Sequence, residues 1–153
     1  MTKRIVWLSI LAIIIVIQFI PTGRPEVVLD NKQDLLANNV FSDTLTHLLK
    51  TTCYDCHSNE TKYPWYAYVA PVSWLVVRDV KVGRKHMNFS NWESYSKLDK
   101  AEHLNDINDE VSMGSMPLVI YPIMHPKARL TAEQRKIITD WTDSYGEELF
   151  KKH

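Results

Sequence analysis

The stretch Cys53-Tyr54-Asp55-Cys56-His57 carries the most specific signal in this sequence of 153 residues. Two cysteines separated by two residues and followed directly by histidine form the C-x-x-C-H pattern of haem attachment. In this pattern the two thiols form thioethers with the two vinyl groups on one haem edge, and the histidine lies beneath the iron. The pattern predicts one covalently attached haem, haem c, with Cys53 and Cys56 as the thioether residues and His57 as the proximal iron ligand.

Three other uses of a cysteine pair fit this sequence less well. A thioredoxin-like motif needs a strand–helix context, whereas an amphipathic pattern leads into Cys53 and no βαβ pattern follows. A structural zinc site needs four ligands, but the sequence has no second cysteine pair. A disulfide at this spacing would be strained or redox-active, and a disulfide scaffold would distribute its cysteines along the chain.

The N-terminal region predicts a membrane anchor. Lys3 and Arg4 precede an apolar run that continues to Ile20 and lacks the small-residue cleavage site of a signal peptide. We therefore expect an uncleaved signal anchor, a transmembrane helix over residues 1–20, although the run is somewhat shorter than a bilayer core. The flanking cations would leave the N-terminus in the cytoplasm and the remaining chain outside.

The rest of the chain is expected to form one small all-α domain behind a tether. Residues 21–39 are mixed in character and contain proline, which indicates a tether, and residues 40–153 form the haem-binding domain. The net charge is zero and no basic face is apparent, so a nucleic acid is not an expected partner.

Periodicity predicts the helices of this domain. Apolar residues from Phe41 to Leu49 indicate a helix that leads into the motif. Pro71 can begin a second helix towards Gly83, although its β-branched residues keep a strand open. The pairs Ser90 with Glu93 and Thr131 with Gln134 fit capping boxes, and a further helix is expected over residues 100–111, ended by Gly114.

The second axial position of the iron has several candidates. Met116 is the leading one, because Gly114-Ser115-Met116-Pro117 forms a loop that can direct a side chain inwards. His125, before a proline, is next and would give bis-histidine iron. Five further candidates follow the motif: Met113, Met124, His86, Met87 and His103.

Aromatic residues are frequent in this short chain, and they would suit a fold that surrounds a flat apolar ligand. Trp65, Trp74 and Trp92 are candidates for packing against the haem. Each of them taken alone fits ordinary core packing equally well.

Several stretches together resemble a known family, the small bacterial haem-binding domains with a single C-x-x-C-H motif. The resemblance covers about residues 40–145 and is carried by residues 53–66, Pro71-Val72-Ser73-Trp74, Asn88-Phe89-Ser90-Asn91-Trp92, residues 114–117 and Ala128-Arg129-Leu130-Thr131. More broadly, the chain is similar to class I c-type cytochromes, which place a helix before the motif, a Met-Pro loop and a C-terminal helix around one haem.

The resemblance implies haem binding in the periplasm, at the bacterial inner membrane, and electron transfer rather than enzymatic catalysis. The expected partners are redox proteins of the cell envelope, besides the membrane itself. The alternative is a haem enzyme or gas-binding module, peroxidase-like, with an open distal position on the iron. That reading requires an acid–base group near the iron, which His86 or His125 would supply if Met116 does not bind.

Overall fold

The computed structural model describes residues 2–151, and all regular secondary structure over that range is helical. The longer α-helices are α1 (Thr2–Ile17), α3 (Asp43–Thr52), α5 (Val72–His86), α6 (Lys97–Ser112) and α8 (Ala132–Lys151). Three single turns complete the set: α2 (Leu35–Asn38), α4 (Tyr54–His57) and α7 (Tyr121–Met124). Short 3-10 helices cover Trp65–Tyr68, Phe89–Ser94 and Pro126–Ala128. The prediction of an all-α fold is confirmed.

The predicted helix starts at Pro71 and Thr131 are confirmed. The Ser42 hydroxyl accepts a bond from the Leu45 amide and begins α3. Thr131 and Gln134 form the predicted reciprocal pair before α8, at 2.9 and 3.2 Å. Pro71 directly precedes α5, so the chain after it forms a helix and not the strand that its β-branched residues left open. The helix α5 continues beyond Gly83 to His86.

One predicted capping box is wrong. Ser90 does not cap the short helix that contains Trp92, because its hydroxyl accepts a bond from the Asn59 amide at 2.9 Å. Asn88 caps this 3-10 helix instead, through its bond from the Ser90 amide. The true capping box lies later, where Ser96 and Asp99 begin α6.

The two longest helices of the domain, α6 and α8, pack side by side and run antiparallel. Asn108 on α6 bonds the Thr142 hydroxyl at 2.8 Å, and Leu104 on α6 lies opposite Gly146 on α8. The core that they share with α2, α3 and the turn after α5 is formed by Leu35, Leu45, Leu48, Leu49, Tyr54, Met87, Phe89, Trp92, Leu104, Ile107, Val111, Leu130, Ile138 and Trp141. This core lies behind one wall of the site.

The segment 21–39, which we expected to be a tether, lies against the domain. The Arg84 guanidinium donates to the Glu26 carbonyl at 2.8 Å, and the Tyr63 hydroxyl donates to the Pro25 carbonyl at 3.1 Å. Further along, Leu35 is completely buried in the core. Composition gave no sign of these contacts, because their partners are distant in the sequence.

At the N-terminus, α1 has 16 residues and its side chains from Ile5 to Val16 are exposed. Within residues 2–151, no helix combines the length and the hydropathy of a membrane-spanning helix.

Candidate functional site

The C-x-x-C-H motif lies at the junction of α3 and α4. The chain leaves α3 at Cys53, and the amides of Cys56 and His57 both donate to the Cys53 carbonyl, at 3.2 and 2.9 Å. This single turn brings the two thiols and the imidazole together over five residues. Both cysteines are free thiols and half-buried.

The two residues between the cysteines fix this turn to the rest of the domain. Tyr54 stacks on Phe89 with ring centroids 5.1 Å apart, and its hydroxyl donates to the buried Asp34 carboxylate at 2.9 Å. Asp55 accepts bonds from the Tyr121 hydroxyl at 2.7 Å and the Lys62 amide at 2.9 Å. The motif is therefore held on both sides.

Helix α5 approaches the motif so closely that only glycine fits at the contact. A Cβ on Gly83 would lie 2.6 Å from the Cys56 carbonyl oxygen, well inside the ordinary contact distance. The predicted helix towards Gly83 gave this residue no specific role. In the structure, Gly83 lets the α5 backbone touch the backbone of the motif.

The surroundings of the thiols do not resemble those of a redox-active pair. Burial raises the pKa of Cys53 to about 11, and burial together with the nearby Asp55 carboxylate raises the pKa of Cys56 to about 12. Reactive C-x-x-C pairs need a lowered pKa that favours the thiolate. Both thiols are thus protonated near neutral pH, as inert buried thiols are.

His57 has the protonation that an iron ligand requires. Its Nδ1 lies 3.2 Å from the Met87 carbonyl oxygen, which can only accept a hydrogen bond. The proton of the neutral imidazole is therefore on Nδ1, which leaves the lone pair of Nε2 for a metal. Burial lowers the pKa of His57 and so favours this neutral form.

A largely apolar cavity of about 80 Å³, partly open to solvent, lies beside the motif. Cys53, His57 and Met116, three residues that the sequence predicts as haem or iron ligands, all line it. The remaining lining residues are Thr52, His86, Met87, Phe89, Asp106, Ile107, Glu110, Val111, Pro117 and Leu130.

The loop that carries Met116 is held by one arginine. Arg135 on α8 donates to the Val111 carbonyl at 2.7 Å and to the Met116 carbonyl at 3.1 Å. The Met116 amide donates to the Glu110 carbonyl at 3.0 Å, and Gly114 supplies the positive φ of +79° that ends α6. The half-buried Met116 side chain is thus fixed at the cavity wall.

The other candidate distal ligands lie in different environments. His125 is outside the cavity lining: its Nε2 lies 2.6 Å from the Tyr66 hydroxyl, and its ring stacks on Tyr121 at 4.2 Å. His103 packs against Tyr95 at 4.8 Å, and Met113 and Met124 are exposed. Met87 and His86 do line the cavity.

The three tryptophans predicted to pack on a haem do not line the cavity. Trp92 is completely buried in the core, where its Nε1 donates to the Tyr145 hydroxyl at 3.2 Å. Trp65 is 73% exposed, and Trp74 lies on α5 beside residues 20–22. Smaller apolar side chains such as Phe89, Ile107 and Leu130 form the wall instead.

Residues 12–144 match a protein family model that is described as a haem-binding domain. The chain belongs to the haem-binding domain family. Comparisons with curated proteins and with solved structures give no match. The protein is therefore a haem-binding protein, and the haem-binding domain includes the motif, the cavity and the Met116 loop.

The residues of this haem-binding domain fit the group that the family binds. The Cys53 thiol, the His57 imidazole with an available Nε2 and the Met116 thioether line one apolar cavity, and the free thiol of Cys56 belongs to the same turn as Cys53 and His57. Thioether, imidazole and thiol groups are the side chains that hold haem of the c type.

Sequence reasoning missed three contributors to the site: the Met87 carbonyl, Phe89 and Arg135. Phe89 occurs in the resembling stretch from Asn88 to Trp92, which was a usable signal. The Met87 carbonyl is backbone, and the role of Arg135 depends on the packing of α8 against α6. Neither had a signal in the sequence.

Proposed function

We propose that the protein is a mono-haem c-type cytochrome that transfers electrons in the cell envelope. Cys53 and Cys56 form the thioethers, His57 is the proximal ligand and Met116 the distal one. The observation that carries this proposal is that Cys53, His57 and Met116, which are up to 63 residues apart in sequence, line one apolar cavity.

The chain's own residues hold and orient the group, and they limit its contact with water. The Met87 carbonyl fixes the tautomer and direction of His57. Arg135 holds the Met116 loop, so the thioether is presented from a rigid backbone rather than from a mobile loop. When bound, the haem supplies an iron centre that exchanges one electron, and a thioether opposite histidine gives it a higher reduction potential than two histidines would.

One observation favours a second candidate, a haem enzyme or gas-binding module with an open distal position. His86 lines the cavity, and its Nε2 lies 3.5 Å from an Asp106 carboxylate oxygen, the arrangement of a candidate acid–base pair. This reading requires that Met116 leaves the iron free.

We further propose that α1 anchors the protein in the bacterial inner membrane, with the haem domain in the periplasm and redox proteins of the envelope as partners. Exposed apolar side chains from Ile5 to Val16, behind Lys3 and Arg4, support this. Backbone bonds of Gln18, Phe19 and Ile20 to residues three positions earlier continue the turn beyond Ile17. The apolar segment from Ile5 to Ile20 then extends about 24 Å at 1.5 Å per residue, somewhat less than the roughly 30 Å of a bilayer core.

The ligand assignment is tested by absorption spectra and redox titration of the wild type and of Met116→Ala. We expect the variant to lose the far-red absorption band of methionine–iron ligation and to have a lower reduction potential. Met124→Ala, which changes an exposed methionine outside the cavity lining, is the matched control and should behave as the wild type. An unchanged spectrum for Met116→Ala would contradict the assignment of the distal ligand.

Carbon monoxide separates the two candidate functions. A six-coordinate electron-transfer iron in the reduced wild type should bind it slowly, and Met116→Ala should bind it much faster. Rapid binding to the wild type would favour the open-iron alternative.

A further inference from the structure

The end of α1 is joined to the haem domain by one side chain. The side-chain oxygen of Gln18 accepts a bond from the Ala70 backbone amide at 2.9 Å. The side-chain nitrogen of Gln18 donates to the Ala70 carbonyl at 3.2 Å. The same nitrogen donates to the Ile14 carbonyl at 2.8 Å, within α1. Both polar backbone groups of Ala70 thus bond Gln18, the residue directly after α1, so the domain is held at a defined place against the end of this helix.

Apolar side chains are exposed around this junction. Phe19 is 82% exposed, and Ile20, Val69, Val72 and Leu75 are between 42 and 49% exposed. We call these five residues the Ala70 face. Contiguous exposed apolar surface of this kind marks an interaction site with a protein or a membrane.

Basic residues lie next to the Ala70 face. Arg78 and Lys81 of α5 line a groove together with Ile20, and the Lys81 ammonium donates to the Thr22 carbonyl at 3.3 Å. Over its whole length, α5 carries four cations, Arg78, Lys81, Arg84 and Lys85, and one carboxylate, Asp79. This charge complements an anionic surface.

We propose that the Ala70 face and the adjacent cations of α5 rest on the anionic phospholipid surface of the membrane that holds α1. The inference rests on the proposed anchoring of α1. Because Gln18 joins α1 directly to Ala70, no free linker separates the bilayer from this part of the domain. Apolar side chains then enter the interfacial layer while Arg78 and Lys81 lie at the depth of the lipid phosphates.

This orientation also positions the cavity. Val72 of the Ala70 face begins α5, whereas His86, at the other end of this helix, lines the cavity. The 15 residues of α5 span about 20 Å at 1.5 Å per residue. The site is therefore carried on a helix whose opposite end touches the bilayer.

The test uses the full-length haem-loaded protein in vesicles of phosphatidylcholine and phosphatidylglycerol, with one nitroxide label at a time. Labels are placed through Leu75→Cys on the Ala70 face, Trp7→Cys on α1, and Leu98→Cys, a control position on α6 that is 73% exposed. The motif thiols do not compete for the label, because in the haem-loaded protein they are consumed as thioethers. An unchanged haem spectrum verifies that each variant is folded.

The readout is the collision of each label with oxygen, which partitions into lipid, and with a water-soluble nickel complex. We expect lipid contact at positions 7 and 75 and water contact at position 98. If position 7 contacts lipid while position 75 contacts water as much as position 98 does, the Ala70 face does not rest on the membrane. That result overturns the inference and leaves the proposed anchor unaffected. If position 7 is also in water, the anchor itself is refuted and the inference falls with it.

Two further measurements address the cause. Gln18→Ala removes the junction and should shift the label at position 75 towards water while position 7 remains in lipid. Vesicles of phosphatidylcholine alone should also reduce lipid contact at position 75, as should Lys81→Gln in the mixed vesicles. Lipid contact that is unaffected by all three changes would refute the proposed roles of the junction and of the anionic lipid.

Discussion

Replacing Gly83 by alanine tests the close contact between α5 and the haem-attachment motif. The added Cβ would lie 2.6 Å from the Cys56 carbonyl oxygen, against at least 3.4 Å for an ordinary contact, so the two backbones must separate by about 0.8 Å. Overpacking of a well-packed region costs typically about 1–3 kcal/mol. Alanine recovers up to about 1 kcal/mol, because it is the better helix former.

Gly146→Ala is the matched control for this change. Gly146 also lies within a helix, α8, but a Cβ there would meet only the Leu104 Cδ1 at an ordinary 3.9 Å. This variant should keep the gain of about 1 kcal/mol in helix propensity without the clash. The difference between the two variants therefore isolates the steric cost, about 1–3 kcal/mol.

The assay is thermal unfolding by circular dichroism together with the molar ratio of haem to protein. At about 2–4 °C per kcal/mol for a chain of this size, Gly83→Ala should melt roughly 2–12 °C below Gly146→Ala. It should also contain less haem, because the displaced backbone belongs to Cys56. Equal melting temperatures and equal haem ratios in the two variants would refute the close contact.

Three further predictions follow from single side chains. Arg135→Gln should weaken the far-red band and speed carbon monoxide binding, because the Met116 carbonyl loses its donor. Arg135→Lys should restore part of the band, and a wild-type spectrum for Arg135→Gln would contradict the role of the arginine. Asp34→Ala should lower the free energy of unfolding in urea by about 2–4 kcal/mol, since it leaves the Tyr54 hydroxyl without its acceptor and removes the cap of α2. A decrease below about 1 kcal/mol would be too small for this explanation. Trp65→Ala should leave the haem absorption spectrum unchanged, because Trp65 is exposed and outside the cavity lining. A shifted spectrum would show that Trp65 lies near the haem.

Local patterns predicted the parts of this fold that local interactions determine. The helices before and after the motif were foreseen from periodicity, and Thr131 with Gln134 was foreseen from capping chemistry, because both depend on residues at most one or two turns apart. The motif from Cys53 to His57 could be recognised for the same reason. Its chemistry requires five consecutive residues and no distant partner.

Contacts between distant residues account for what the sequence did not reveal. Ser90 and Glu93 have the spacing of a capping box, but Ser90 is engaged by Asn59 and Glu93 forms an ion pair with Lys100 at 2.6 Å. The aromatic content correctly suggested large buried rings, but it did not show that Trp92 packs in the core rather than along the cavity. Neither outcome can be read from a window of neighbouring residues.

The buried carboxylate of Asp34 has a consequence for the order in which the chain can fold. One of its oxygens accepts bonds from the Leu36 amide and the Tyr54 hydroxyl, and the other lies 3.4 Å from the Ser90 hydroxyl. These partners are 2, 20 and 56 positions further along the chain, so the loops that must close become progressively longer. Asp34 leaves the ribosome before Tyr54 and Ser90, yet its last bond must wait for the most distant of them. A protein shortened to begin at residue 40 would therefore lack the Asp34 carboxylate, which forms its bonds one after another as these loops close.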